Sequence, residues 1–191
     1  MPRVSEQHLA ARRQQILDAA VGLFSVRGFA RTSMSDVVRE SGMSMGAVYR
    51  YFPSKADLVI AAGEGHGGEV DGGFPAERAR DLVTRLAAEV APGSSHARLS
   101  VQVWGEAAVE PELAARVVPI HQRLEEHLTR LLRAEAAAAE CDRDHEATAQ
   151  VALGAVIGLA ALVAAGVPVD EERFVAALGR LVDPPDAEVR Q

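Results

Sequence analysis

The chain has 191 residues, 48% hydrophobic and 25% charged, enough for a core that holds without disulfide or metal staples. Its 20 basic and 27 acidic residues leave a net charge of -7, which argues against a generic basic nucleic-acid coat protein. The average hides a split: up to residue 60 the basic residues outnumber the acidic ones and five of the eight aromatics are gathered, whereas the remainder is strongly acidic.

Taken in order, residues 6–27 carry Leu9, Ile16, Ala20, Leu23 and Phe24 at helical spacing, and Gly28 is placed to end that helix. A second helix begins at Thr32 or Ser33, where Ser33 and Asp36 form a capping-box pattern ahead of Met34, Val37 and Val38. Gly42 closes it. Ser44 then caps a third helix, Met45 to Phe52, which Pro53 stops, and Ser54 caps a fourth with Asp57 at its third position. Six glycines in residues 63–73 predict that the fourth helix ends or frays near Ala62, because each glycine costs about 1 kcal/mol in a helix interior. The domain joint is placed there, giving units 1–62 and 63–191. Helical periodicity returns over 76–91, 96–109, 111–139, 144–166 and 170–182, with Pro119 expected to break or kink the long segment. No strand alternation stands out, so the fold class is all-α.

Residues 147–169 contain no charge, about the length that crosses a bilayer, and hold Gly154 and Gly158 in GxxxG spacing. Eight alanines, acidic flanks on both sides and the lack of a positive cluster point instead to a helix buried in the domain and against a partner. Cys141 is the single cysteine, which excludes an internal disulfide framework and a cysteine zinc site. With no signal-peptide core in the first twenty residues, the expected location is the cytoplasm.

The chemistry concentrates in the helix, turn, helix of residues 33–52. On a helical wheel Val48 and Phe52 mark the inner face of the third helix, Gly46 and Arg50 lie almost opposite, Ala47 and Tyr49 flank them, and Met45 stands at the first turn. Small residues, a tyrosine and an arginine on an outward face suit close approach to a major groove. Ser33, Ser44 and Ser54 sit at helix N-termini that favour anions, and Lys55, the only lysine, falls where a bound phosphate would offset an unfavourable helix dipole. Tyr49 and Tyr51 can donate hydroxyls to the backbone, and Arg50 suits phosphate or guanine. The candidate DNA-binding set is Thr32, Ser33, Ser44, Met45, Gly46, Ala47, Tyr49, Arg50, Tyr51 and Lys55.

The run from Gly28-Phe29 through Thr32-Ser33-Met34, Ser41-Gly42-Met43-Ser44, Val48-Tyr49, Tyr51-Phe52 and Ser54-Lys55 to Leu58 resembles the DNA-binding domain of the TetR family of bacterial transcriptional regulators. The resemblance implies that Met45, Gly46, Ala47 and Tyr49 face bases or groove edges and that Ser33, Tyr51 and Lys55 hold phosphates. The segment from Trp104 to Pro111-Glu-Leu resembles the ligand-binding domain of one branch of that family. The family implies a homodimer built from the last two helices of each protomer, here through Val151, Gly154, Ala155, Gly158, Leu162, Phe174, Leu178 and Leu181. It also implies a small-molecule pocket, for which Val101, Trp104, Val118 and His121 are the candidates.

No catalytic constellation, cofactor motif or metal set stands out; His121 and Glu125 lie among Arg123 and Arg130 as on a solvated helix face. The expectation is a homodimeric, sequence-specific transcriptional regulator, a repressor released from a palindromic double-stranded operator by a small-molecule effector. The alternative is a helical scaffold that keeps the fold without operator recognition.

Overall fold

The structure, a computed structural model, describes residues 6–67, 78–139 and 143–183; Cys141 and residues 68–73 of the glycine-rich joint lie outside them. Among the described residues every regular element is a helix: α1 (Glu6–Arg27), α2 (Met34–Ser41), α3 (Met45–Tyr51), α4 (Lys55–Gly67), α5 (Ala79–Glu89), α6 (Ser95–Ala107), α7 (Pro111–Ala139), α8 (His145–Ala164) and α9 (Glu171–Val182). The all-α expectation holds.

Local chemistry sets the boundaries. Gly28 at φ 89° ends α1, its N–H bonded to the Phe24 carbonyl at 3.0 Å, and Gly42 at φ 66° ends α2. Both adopt the left-handed conformation that a Cβ would strain. Asp144 and Asp170 cap α8 and α9 by accepting from the Ala147 and Arg173 N–H groups.

One expectation fails. α4 runs on to Gly67 instead of stopping near Ala62. Its Leu58, Val59, Ala61 and Ala62 are buried, and a helix anchored by packing propagates through residues of poor propensity. α7 continues unbroken through Pro119, whose ring sits on an exposed position.

Two hydrophobic cores organise the chain. The first gathers Ile16, Phe24, Val37, Val48, Phe52 and Leu58, and it also takes in Leu99, Leu113 and Val117 from α6 and α7. The first four helices therefore do not close their own core; α6 and α7 complete it. The second core joins Leu82, Leu128, Leu153, Leu159 and Leu178 from α5, α7, α8 and α9. α8 is long and apolar enough to cross a membrane by length and composition alone, yet Ala149, Ala152, Leu153, Val156, Leu159 and Ala160 are buried within this second core. Its remaining side is exposed.

Candidate nucleic-acid interface

Three short helices start in three serines, and the starts differ. Ser33 Oγ accepts from the Asp36 N–H at 3.2 Å and donates to Asp36 Oδ2 at 2.6 Å, while the Ser33 N–H donates back to the same carboxylate at 3.0 Å. The Ser33 hydroxyl, then its backbone N–H and Arg39, hold the Asp36 carboxyl far below the usual range. Ser54 and Asp57 repeat the pattern, with Oγ donating to Asp57 Oδ2 at 2.6 Å and accepting from the Asp57 N–H at 3.2 Å. At α3 the Ser44 Oγ accepts from the Ala47 N–H at 3.3 Å, and no acidic residue stands in the first turn. The ends of α2 and α4 thus carry their own anion, and α3 does not.

The faces of α3 divide as the wheel requires. Val48 and Phe52 are buried, Met43 packs against the first core from the turn, and Ala47 is half-buried. Met45 is 52% exposed and Tyr49 43%, with Ser44, Gly46 and Arg50 also open to solvent. A Cβ at Gly46 would meet nothing within 4 Å. An exposed fringe of Arg12, Arg13 and Arg39 lies on α1 and α2, and the Arg13 guanidinium sits 5.3 Å from the centre of the Phe52 ring.

Three of the candidate DNA-binding residues, Thr32, Tyr51 and Lys55, are engaged inside the fold. Thr32 is 1% exposed, its hydroxyl donating to the Gly28 carbonyl at 2.8 Å, so it is a core residue of the α1–α2 turn. The Tyr51 hydroxyl is enclosed, with no hydrogen-bond partner among the described residues, and its ring packs on the first core, with the Arg50 guanidinium 5.6 Å from the ring centre. Lys55 turns inward: Nζ donates to the Phe29 carbonyl at 2.9 Å and lies 4.2 Å from the centre of the Phe29 ring. Burial pushes its pKa down, against the opposing pull of Glu106 and Glu110. Ser33 stays exposed, but its proton is committed to Asp36.

Two polar side chains from the second half bond to this unit, and sequence reasoning passed over both. Gln102 on α6 accepts from the Phe29 N–H at 2.8 Å, and Arg116 on α7 pairs with Asp57 at 2.5 Å. Separations of 73 and 59 residues leave no local signal for either.

In the second half, Trp104 and His121 meet edge to face at 5.3 Å, with Trp104 packed on the first core. Val101 packs instead against the second core, and Val118 faces solvent on α7 rather than lining an enclosed space. An open cleft of about 450 Å³ lies elsewhere, between the Pro92-Gly93 turn and the loop from Gly166 to Asp170. Of the expected pairing residues, Val151, Gly154, Gly158, Leu162 and Leu181 are exposed, Val151 at 58%. Leu178 is 4% exposed and belongs to the protomer's own core, while Ala155 and Phe174 pack on its edge. The stripe on α9 is narrower than its pattern suggested.

Known proteins share this fold. The family profile for bacterial regulatory proteins of the tetR family matches residues 16–62, and that for the C-terminal part of BetI-type transcriptional repressors matches residues 75–184, more than half of the chain. An uncharacterised HTH-type transcriptional regulator, YfiR of Bacillus subtilis, is 46% identical over 57 residues, 30% of this chain and 28% of that protein. The HTH-type transcriptional repressor Rv1474c of Mycobacterium tuberculosis is 44% identical over 61 residues, 32% of this chain and 33% of that one. These matches span about a third or less of the curated relatives' length. Among solved structures, Salmonella enterica GusR superposes with a TM-score of 0.70 at 23% identity, covering 95% of this chain and 97% of its own. With both halves matched, the chain belongs to the TetR family of bacterial regulatory proteins, which are transcriptional regulators and not enzymes.

Proposed function

We propose that this protein is a sequence-specific DNA-binding repressor that acts in the cytoplasm as a homodimer and leaves its operator when a small molecule binds. Residues 1–62 would read the duplex, and 63–191 would pair the protomers and take the effector. The observation that carries this reading is the division of α3, with Val48 and Phe52 sunk into the core and Met45, Gly46, Tyr49 and Arg50 offered outward from a helix start that carries no carboxylate. Gly46 permits close backbone approach, and Arg50 suits either a phosphate or guanine.

Pairing is supported by the exposed side of α8. Val151, Gly154, Gly158 and Leu162 recur at helical spacing, and no side chain fills the space above either glycine. Two copies joined there by a two-fold axis would present two α3 helices, so the operator would be a palindrome with half-sites about one helical turn apart or a multiple of it.

The test is selection of duplexes from a random pool by the purified protein, followed by affinity measurement across salt concentrations and light scattering for mass. A palindromic consensus, an affinity that falls steeply with salt and a dimeric mass are the expected results. A protein with no salt-dependent affinity for any duplex would be a helical scaffold instead. Release is tested by screening small molecules that raise the melting temperature and lower affinity for the selected duplex, since a ligand that binds one state shifts the population toward it.

A further inference from the structure

We infer that Gln102 on α6, outside the helix-turn-helix, is a positioning residue for DNA binding: it grips the Phe29 peptide and thereby sets how α2 and α3 are held. The inference rests on the DNA-binding reading above and concerns how that site is kept in shape.

The geometry converges on one peptide. The Phe29 N–H donates to Gln102 Oε1 at 2.8 Å, and the Phe29 carbonyl accepts from Lys55 Nζ at 2.9 Å and from the Thr32 N–H at 3.1 Å. Phe29 is buried, its ring 5.3 Å from that of Phe24 and 4.2 Å from the Lys55 ammonium. The turn that contains it is fixed at both ends, by Gly28 at φ 89° and by the Thr32 hydroxyl bonded to the Gly28 carbonyl. Ser33, the cap of α2, follows directly. A shift of the Phe29 peptide therefore moves the start of α2, and Gly42 joins α2 to α3 by a short turn.

Gln102 is the only one of these partners that comes from beyond the first four helices. It stands on the segment of α6 whose Leu99, Val103 and Trp104 contribute to the first core. The apolar contacts of that segment are non-directional, whereas an amide oxygen at 2.8 Å from a buried N–H fixes position and leaves an unsatisfied donor when removed. Of the contacts α6 makes with the reading unit, this is the one that specifies register as well as burial.

The consequence is a separation of two affinities. Contacts to phosphate tolerate small displacements of α3, whereas contacts to base edges do not, because they depend on the helix lying at a fixed depth and angle. Loss of the Gln102 acceptor then weakens binding to the selected sequence more than binding to a random one.

The experiment compares Gln102→Leu and Gln102→Glu with the parent, full-length, at a temperature where all three are folded. The duplex that the parent selects from a random pool and a scrambled duplex of equal length serve as probes, and amide hydrogen exchange of Phe29 is read in parallel. Gln102→Leu is expected to lose about tenfold in affinity for the selected duplex, to stay within about twofold on the scrambled one, and to exchange the Phe29 amide faster. Gln102→Glu keeps an acceptor and is expected to restore both the ratio of affinities and the protection. A Gln102→Leu protein with the parent's affinity ratio, or a Gln102→Glu protein as impaired as Gln102→Leu, would overturn the inference. A parent that binds no duplex in a salt-dependent way would overturn the DNA-binding reading, and this inference with it.

Discussion

The guanidinium of Arg80 on α5 fills the notch that Gly179 leaves open on α9, so that a Cβ at 179 would stand 2.5 Å from Nη1. The arginine is held there by Asp183, to which Nε donates at 2.9 and 3.1 Å and Nη2 donates as well. Helix α9 is thus fastened to α5 through its only glycine. Magnitudes decide what substitution does. The ion pair is partly exposed and contributes under about 1 kcal/mol, while alanine recovers about 0.5 to 1 kcal/mol of helix propensity over glycine. Gly179→Ala is therefore expected near neutral in urea unfolding. Gly179→Val, which cannot share the notch with Arg80, is expected to cost about 1 to 3 kcal/mol. In the Gly179→Val background Asp183→Asn has no further effect, because its partner has already been displaced; full additivity would refute the clamp.

Acid sensitivity follows from three aspartates that titrate below the ordinary carboxylate value. The Ser33 hydroxyl is the first cause for Asp36 and the Arg80 hydrogen bond for Asp183. At Asp57 burial pushes the pKa up, but hydrogen bonds from Arg116 and Ser54 outweigh it. All three have folded values below the unfolded one of about 3.9. The unfolded chain takes up protons first as pH falls, so this stabilisation is complete above about pH 5 and is lost on acidification from there. The urea midpoint should be flat from pH 7 to about 5 and decline below. Asp57→Asn should be less stable than the parent at pH 7 and decline less steeply; an equal slope would show that Asp57 takes no part.

Legibility from the sequence tracked the range of the interaction. The capping pairs Ser33 with Asp36 and Ser54 with Asp57, the stops at Gly28, Gly42 and Pro53, and the two faces of α3 all depend on neighbours within four residues. Each was readable. Thr32 and Tyr51 look polar and exposed by type, but one hydroxyl bonds to the Gly28 carbonyl and the other is enclosed by the first core. Lys55 could be expected at a phosphate from its place at the start of α4. That its ammonium folds back on Phe29, 26 residues earlier, is a tertiary fact without a pattern. The same holds for Gln102 and Arg116. The glycine count predicted an early end to α4 because propensity is local, whereas the packing that carries the helix onward is not.

Lys55 separates a phosphate contact from an internal one. A cation that neutralises a phosphate contributes about one unit to the slope of log affinity against log salt. Since Nζ is engaged by the Phe29 carbonyl and ring, Lys55→Met is expected to leave that slope unchanged while lowering affinity for every duplex and stability together. A slope reduced by about one would return Lys55 to the DNA face.

Gly46→Glu tests the outward face of α3 without disturbing its anchor. The site is open, with nothing within 4 Å of an added Cβ, and glutamate is the better helix former by roughly 0.5 kcal/mol. Thermal stability should be equal or slightly higher. DNA binding should be lost, because the carboxylate would stand between the negatively charged phosphate backbones that flank the groove. Retained affinity in a folded variant would mean that this face does not meet the duplex.

For pairing, the glycines of α8 distinguish a protomer requirement from an interface requirement. Gly154 and Gly158 are exposed and face open space in the single chain, so a larger side chain at either meets no steric penalty there. In a two-fold pairing through Val151, Gly154, Gly158 and Leu162, the same positions would be where two backbones approach closely, and bulk or charge would hold them apart. Gly158→Arg is accordingly expected to show the parent's helix content by circular dichroism and a monomeric mass by light scattering. Its affinity for the selected palindrome should fall by more than tenfold, since linking two half-site contacts contributes through effective concentration. Binding to a single half-site should be nearly unchanged. A dimeric Gly158→Arg protein would move the pairing surface off this face of α8, and a misfolded one would mean that the glycine serves the protomer instead.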